Sequence, residues 1–293
     1  MMTSTAPTGA VQVDDLRIAY RERGEGPAVL LLHGWPTSSY LWREVMVPIA
    51  EANRVIALDL PGYGASDKPL DRRYDFDLFE RAIDGVLDAL DVERTGLVVH
   101  DLGGPIGVHW ALRNPARVTH LAMLNTLVHP GEPTGLLADL LDTLADPDRY
   151  HQLTGPEGLE TIMRLGMADP SRLTPEVLAA VVEPFRTPEA QQALAAAGTQ
   201  LSPDGLAEIG ERITELTMPV HLIYGVGDPA LPVATEFARL KAELPQAVVT
   251  ALDDCGHFLQ EEAPDRIGTL LADFFGGRGG RGQGPAQARR DVV

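Results

Sequence analysis

VVHDLGGPIG, residues 98–107, runs from an apolar strand-type stretch through an aspartate into two glycines and a helix-type sequence. A chain that turns this sharply from strand to helix needs small residues beside the turning residue, because the new helix packs close to the strand it leaves. Gly103 and Gly104 meet that need, and Pro105 suits a first helical turn. Asp101 is then expected at the edge of a sheet beside a helix N-terminus, whose positive end favours carboxylate over acid. An aspartate ahead of a helix is most often only an N-cap. The turn alone therefore leaves a capping role and a chemical role open.

Outward from this turn, short apolar runs alternate with longer amphipathic ones. Strands are predicted at Leu16–Tyr20, Ala28–His33, Arg54–Leu60, Thr95–His100, Thr119–Asn125, Val220–Tyr224 and Ala247–Leu252. Several are apolar throughout, as in a sheet covered on both faces. Between them lie helix-type stretches such as Phe76–Leu90, with Ile83, Val86, Leu87 and Leu90 on one stripe. This alternation predicts an α/β fold with a mostly parallel central sheet flanked by helices.

Between residues 129 and 217 the alternation stops. TGLLADLLDTLAD, GPEGLETIMRLGMA, TPEVLAAVVEPF and TPEAQQALAAAGTQ read as successive helices, three of them opened by a Thr-Pro or Gly-Pro start signal. An all-helical insert of this kind is expected to lie as a cap over the C-terminal edge of the sheet, where such folds bind ligands. The expected organisation is a flexible N-terminus over 1–10, an α/β core over 11–128 and 218–275, a helical cap over 129–217, and a disordered Gly/Arg-rich tail over 276–293.

Composition narrows the function. With 44% hydrophobic and 23% charged residues the chain has a globular balance, and a formal charge of −18 weighs against nucleic acid and an anionic membrane surface as partners. Cys255 is the only cysteine, so no internal disulfide forms, and a small buried apolar role is expected for it. MMTSTAPTGA has neither the basic start nor the apolar run of a signal peptide, and no apolar stretch approaches the ~20 residues of a membrane span. A cytoplasmic location is the expectation. No His/Cys/Asp cluster has metal-ligand spacing and no Gly-rich phosphate loop follows a first strand, so neither a metal nor another cofactor is expected.

Three further segments give the turn at Asp101 its chemical meaning. LLLHGWPTSSYLWR, residues 30–43, carries a His-Gly-x-Pro turn after an earlier strand. Such a loop can aim the Trp35 backbone N–H at the same point as the N–H of Leu102, and two convergent amides make an oxyanion hole. LIYGVGDPALP sets Asp228 in the loop after a late strand, and DDCGHFLQEEAPDRI sets His257 after the last one. The chain order of nucleophile, acid and base is that of the α/β-hydrolase arrangement. Asp101, Asp228 and His257 are the expected catalytic residues, with Trp35 and Leu102 as the oxyanion hole.

On these motifs, residues 11–275 resemble the α/β-hydrolase superfamily, within its branch of haloalkane dehalogenases and epoxide hydrolases, whose nucleophile is aspartate. HGWPTSSYLWR, DLPGYGASDKP and VVHD are closest to haloalkane dehalogenases, with Val99 where epoxide hydrolases usually carry glycine. The resemblance implies the α/β-hydrolase fold with an inserted helical cap. Asn125 stands where some dehalogenases carry a catalytic Glu; an amide cannot supply that charge, which leaves the acid role with Asp228.

A carboxylate nucleophile suits displacement at saturated carbon. Asp101 is expected to expel a halide or open an epoxide, giving an alkyl-enzyme ester that water activated by His257 hydrolyses. The two leaving groups need different donors. Dehalogenases of this branch hold the halide with a Trp after the nucleophile, where this chain has Leu102; Trp35 then stands open as a donor or as an aromatic wall. Epoxide hydrolases protonate the alkoxide from cap tyrosines. Here Tyr150 is the single cap tyrosine, Gly198 falls about where a second is expected, and His129 and His151 stand open as a substitute acid, with a surface position the leading expectation for each. The aliphatic cap fits a small neutral apolar substrate, with water as co-substrate. Carbon–halogen cleavage is the leading expectation, followed by epoxide hydrolysis and by a non-catalytic ligand-binding homologue. Trp42 and Trp110 are expected as packing residues, His33 and His100 as supports of their turns.

Overall fold

The computed structural model describes residues 7–276. The expectations for residues 1–6 and for the Gly/Arg-rich tail from 277 onward fall outside the described residues.

Eight strands form one sheet: β1 (Gly9–Val13), β2 (Leu16–Arg23), β3 (Ala28–Leu32), β4 (Arg54–Leu58), β5 (Thr95–His100), β6 (Val118–Leu124), β7 (Val220–Gly225) and β8 (Val248–Leu252). Their spatial order is β1-β2-β4-β3-β5-β6-β7-β8. The pairs from β4 to β8 are parallel, while β1–β2 and β2–β4 are antiparallel. The seven predicted strands are present, with ends shifted by up to three residues.

β1 was not predicted, and it corrects the flexible segment expected over residues 1–10, since Gly9 and Ala10 pair with Tyr20 and Ala19. GAVQV shows little alternation, and the two-residue turn at Asp14–Asp15 lacks the glycine that usually marks a tight hairpin. Asp14 itself adopts the left-handed conformation at φ 53°.

The apolar centre of the sheet sorts its side chains by strand period. Leu30, Leu32, Leu97 and Val99 face a core with Phe79, Ile83, Val86 and Trp110, whereas Val29, Leu31 and Val98 face the opposite core with Trp42, Ile267 and Leu271. Burial on both faces is why these strands carry no polar alternation. Each fully buried side chain of this kind stabilises the fold by about 1.5–3 kcal/mol.

The helices are α1 (Met46–Ile49), α2 (Phe76–Ala89), α3 (Gly103–Arg113), α4 (Gly135–Ala145), α5 (His151–Thr154), α6 (Pro156–Leu165), α7 (Pro175–Val182), α8 (Pro188–Thr199), α9 (Pro203–Arg212), α10 (Val233–Glu243), α11 (Leu259–Glu262) and α12 (Pro264–Phe275). Those from α4 to α9 form an insert between β6 and β7. Its Thr-Pro and Gly-Pro start signals open helices as expected, Thr174 and Thr187 each accepting a backbone N–H of the first turn and Gly155 preceding Pro156, and Ser202 caps α9 ahead of Pro203 in the same way. Leu159, Met163, Phe185, Leu194 and Ile209 of the insert join the same buried cluster as β3 and β5, so cap and sheet share an apolar interior. Among the described residues, no helix is long and apolar enough to cross a membrane.

Candidate active site

β5 ends at His100, and the chain turns into α3 through Asp101, which is held at φ 49°. A left-handed conformation costs a non-glycine residue about 1–2 kcal/mol. The segment just after β6 offsets that strain. The Asp101 N–H donates to the Asn125 carbonyl at 3.1 Å, and the Asp101 carbonyl accepts from the Thr126 hydroxyl at 2.7 Å. Close approach explains two glycines: a side chain at Gly34 would run into the Asp101 carboxylate, and one at Gly104 into the Thr126 hydroxyl.

Two backbone amides face the carboxylate. The Trp35 N–H donates to Asp101 Oδ1 at 2.7 Å, and the Leu102 N–H also donates to this carboxylate. Asp101 Oδ2 lies 3.6 Å from His257 Nε2. His257 Nδ1–H donates to Asp228 Oδ2 at 2.8 Å. Asp228, with a side chain 0% exposed, also accepts from the Asn125 carboxamide at 2.7 Å and from the Ala230 and Leu231 amides at 2.9 Å each. Asp101, Asp228, His257, Trp35 and Leu102 thus meet at one point above the C-terminal ends of the strands.

The electrostatics follow from burial and pairing. Burial raises the Asp101 carboxyl above its ordinary range; His257 and the two amides draw it down, and Asp228 pushes it up. Burial pulls His257 down, but the Asp228 and Asp101 carboxylates more than reverse this, leaving it raised. Asp228 pays for its burial with His257, the Asn125 amide and the Leu231 N–H, which bring it down to about 2. This arrangement holds the imidazole with its proton on Nδ1 and its Nε2 lone pair toward Asp101.

Further residues brace this cluster. His33 donates from Nδ1 to the Gly34 carbonyl at 2.9 Å and accepts the Leu60 N–H at 3.1 Å, shaping the loop of Trp35. His100 donates from Nε2 to the His257 carbonyl at 3.0 Å; burial and the neighbouring His257 charge hold its own pKa well below the ordinary value. The His257 N–H donates to the carbonyl of Gly166 in the cap at 2.7 Å, so the insert helps fix the imidazole loop. Asn125 is the residue whose part the sequence left unread. Its Oδ1 accepts the Gly225 N–H at 2.9 Å, which orients its amide protons toward Asp228. The signal was there in residue type, since an amide that cannot replace an acid can still donate to one.

Above the triad lies a cavity of about 120 Å³. Leu136, Leu137, Leu140, Leu141 and Leu144 of α4 form one wall, with Ile162, Leu231 and Phe258 opposite and Trp35, Asp101 and His257 at the base. The Trp35 indole Nε1–H is buried without a hydrogen-bond partner among the described residues. It lies against Gly198 of α8, where a Cβ would stand 3.2 Å from Nε1. Tyr150 does not line this cavity, which corrects its expected leaving-group role; it precedes α5 and packs its ring edge-on to His151. His129 is likewise not a surface residue. Its side chain, 2% exposed, bridges Glu236 at 2.9 Å and Glu243 at 2.6 Å on α10, outside the cavity lining.

Known proteins resemble this chain in sequence and in fold. The model of the alpha/beta hydrolase fold family matches residues 27–264. The protein is therefore an α/β hydrolase. Haloalkane dehalogenase 2 of Mycobacterium tuberculosis is 31% identical over 270 residues, covering 89% of this chain and 92% of that protein. Haloalkane dehalogenase of Agrobacterium fabrum is 31% identical over 268 residues, covering 87% of each chain. Among solved structures, haloalkane dehalogenase DbeA from Bradyrhizobium elkani is similar with a TM-score of 0.82 at 27% identity, covering 92% of this chain and 97% of DbeA. Within the superfamily the chain belongs to the haloalkane dehalogenase branch.

Proposed function

We propose that the protein hydrolyses the carbon–halogen bond of a small, neutral, apolar haloalkane. Asp101 Oδ2, the carboxylate oxygen on the His257 side, attacks the carbon bearing the halogen. The carbon–halogen bond breaks, the halide leaves with the bonding pair, and an alkyl ester remains on Asp101. A water then gives its proton to His257 Nε2 and attacks the ester carbonyl carbon. The Trp35 and Leu102 amides, already on the carboxylate, stabilise the resulting oxyanion. Collapse releases the alcohol, which takes its proton from His257, and frees Asp101. The net reaction consumes one water and yields alcohol, halide and a proton. Asp228 and Asn125 keep the imidazole in the required tautomer throughout.

One observation carries the choice of halide over epoxide: the unpartnered Trp35 N–H beside a largely apolar cavity. An indole N–H donates a hydrogen bond but does not give up its proton in water. It can solvate a stable anion such as halide, whereas an opened epoxide leaves an alkoxide that needs a proton. Gly198, with no side chain of its own, is the cap residue that lies against that indole.

The test is a His257→Gln variant incubated with 1-bromobutane. Release of about one bromide per protein, with a butyl adduct on the peptide holding Asp101, supports the assignment. An adduct elsewhere, or undiminished turnover in Asp101→Asn, would overturn it.

A further inference from the structure

Resting on the proposed two-step hydrolysis at Asp101, we infer that Glu262 is a positioning residue for the second step: its carboxylate ties the loop that carries His257 to the cap, so that cap segment 166–172 helps aim the imidazole at the ester. The backbone around His257 divides by polarity. Its carbonyls face the core: that of Cys255 accepts the Gly227 N–H at 2.9 Å, that of Gly256 accepts from the Asn125 carboxamide at 3.4 Å, and that of His257 accepts from His100 at 3.0 Å. Its N–H groups face the other way. The His257 N–H donates to the Gly166 carbonyl of the cap at 2.7 Å, and the Gly256 N–H donates to Glu262 Oε2 at 2.5 Å.

Glu262 closes this second side. It ends α11, is 3% exposed, and its other oxygen, Oε1, accepts the Asp169 N–H of the cap at 2.8 Å. Arg172, also of the cap, donates from Nη1 to the Glu262 carbonyl at 2.7 Å. One carboxylate thus holds the residue before the imidazole with one oxygen and the cap with the other. Loop and cap also touch directly, since a Cβ at Gly256 would stand 2.5 Å from the Gly166 carbonyl oxygen and 2.7 Å from the Ala168 nitrogen. A buried carboxylate between two backbone donors is matched to them in charge and in number. Glutamine keeps the shape, but it offers one carbonyl oxygen and sets its NH2 against the second N–H. Loop or cap must then give way.

The chemistry decides which step feels this. Alkylation uses Asp101 and the leaving group, whereas His257 acts on the water that attacks the ester. Misplacing a reacting group by about 1 Å costs a step about 100-fold, so a smaller shift of the base slows hydrolysis about tenfold.

The experiment follows a single turnover of 1-bromobutane by the intact protein and by its Glu262→Gln variant, with rapid-quench bromide release reporting alkylation and decay of the alkyl ester reporting hydrolysis. Ester decay should slow about tenfold in the variant while bromide release stays within about twofold. A residue that only stabilised the fold would lower the thermal transition and leave both rates alone. Arg172→Met loosens the same tie from the cap surface, where that side chain is 55% exposed, and its ester should decay about two- to threefold more slowly. If Glu262→Gln does not fold, Arg172→Met decides. Ester decay at the wild-type rate in the deciding variant, or equal slowing of both steps, overturns the inference and leaves the reading of Asp101 standing. No bromide release from the wild-type protein overturns that reading, and the inference with it.

Discussion

Replacing Trp35 by Phe removes one N–H and leaves most of the ring, its contact with Gly198 and the backbone amide that points at Asp101 Oδ1. A hydrogen bond to a charged group contributes about 1.5–3 kcal/mol. At tenfold per 1.36 kcal/mol, full loss in the transition state slows alkylation roughly 10- to 150-fold; only part of the halide charge has developed there, so the lower half of that range is expected. The free protein should respond differently. Its indole N–H is buried without a partner, and removing such a donor relieves a desolvation cost of about 1–3 kcal/mol. The smaller ring gives back much of that gain in lost packing, so the thermal transition should stay within a few degrees. Rapid-quench measurement of bromide release in a single turnover isolates alkylation, and decay of the alkyl ester isolates hydrolysis. Slower release with unchanged ester decay is the expected pair. An unchanged release rate would refute the donor role, and equal slowing of both steps would show that the loop had moved instead.

Three further outcomes follow from the triad. Asn125→Ala removes the carboxamide that donates to Asp228 at 2.7 Å, and ester hydrolysis should slow about tenfold while alkylation is spared, as stopped-flow kinetics can resolve. Asp228 falls from 3.8 to about 2 in the folded state, so it contributes about 2 kcal/mol of stability that is complete above roughly pH 4 and lost as the pH falls toward 2. Urea unfolding at stepped pH should show that loss, and Asp228→Asn should abolish it. His257 is raised in the free protein partly by the Asp101 charge, which the alkyl ester cancels. The acidic limb of kcat, which reports the ester when hydrolysis limits turnover, should therefore lie below the His257 pKa measured by NMR in the free protein.

What could be read in advance depended on how local each constraint is. The elbow was legible because strand, acid, paired glycines and proline are consecutive, and each answers the same geometric demand. Asp228 and His257 were legible because loop position after a strand survives any detail of packing. The part of Asn125 was hidden, since its contact with Asp228 spans 103 positions and exists only because the insert lets β7 return beside β6. β1 escaped because its hairpin turns through Asp14 in a conformation usually left to glycine. Tyr150 misled because residue type does not say which cap side chains line the cavity. Trp35 shows the limit most sharply. As a residue it fits either a wall or a donor, and the difference lies in one edge of an indole resting on a glycine of the cap. The turn at Asp101 is thus written along the chain, while the surroundings of the Trp35 indole are set by how the cap packs onto the sheet.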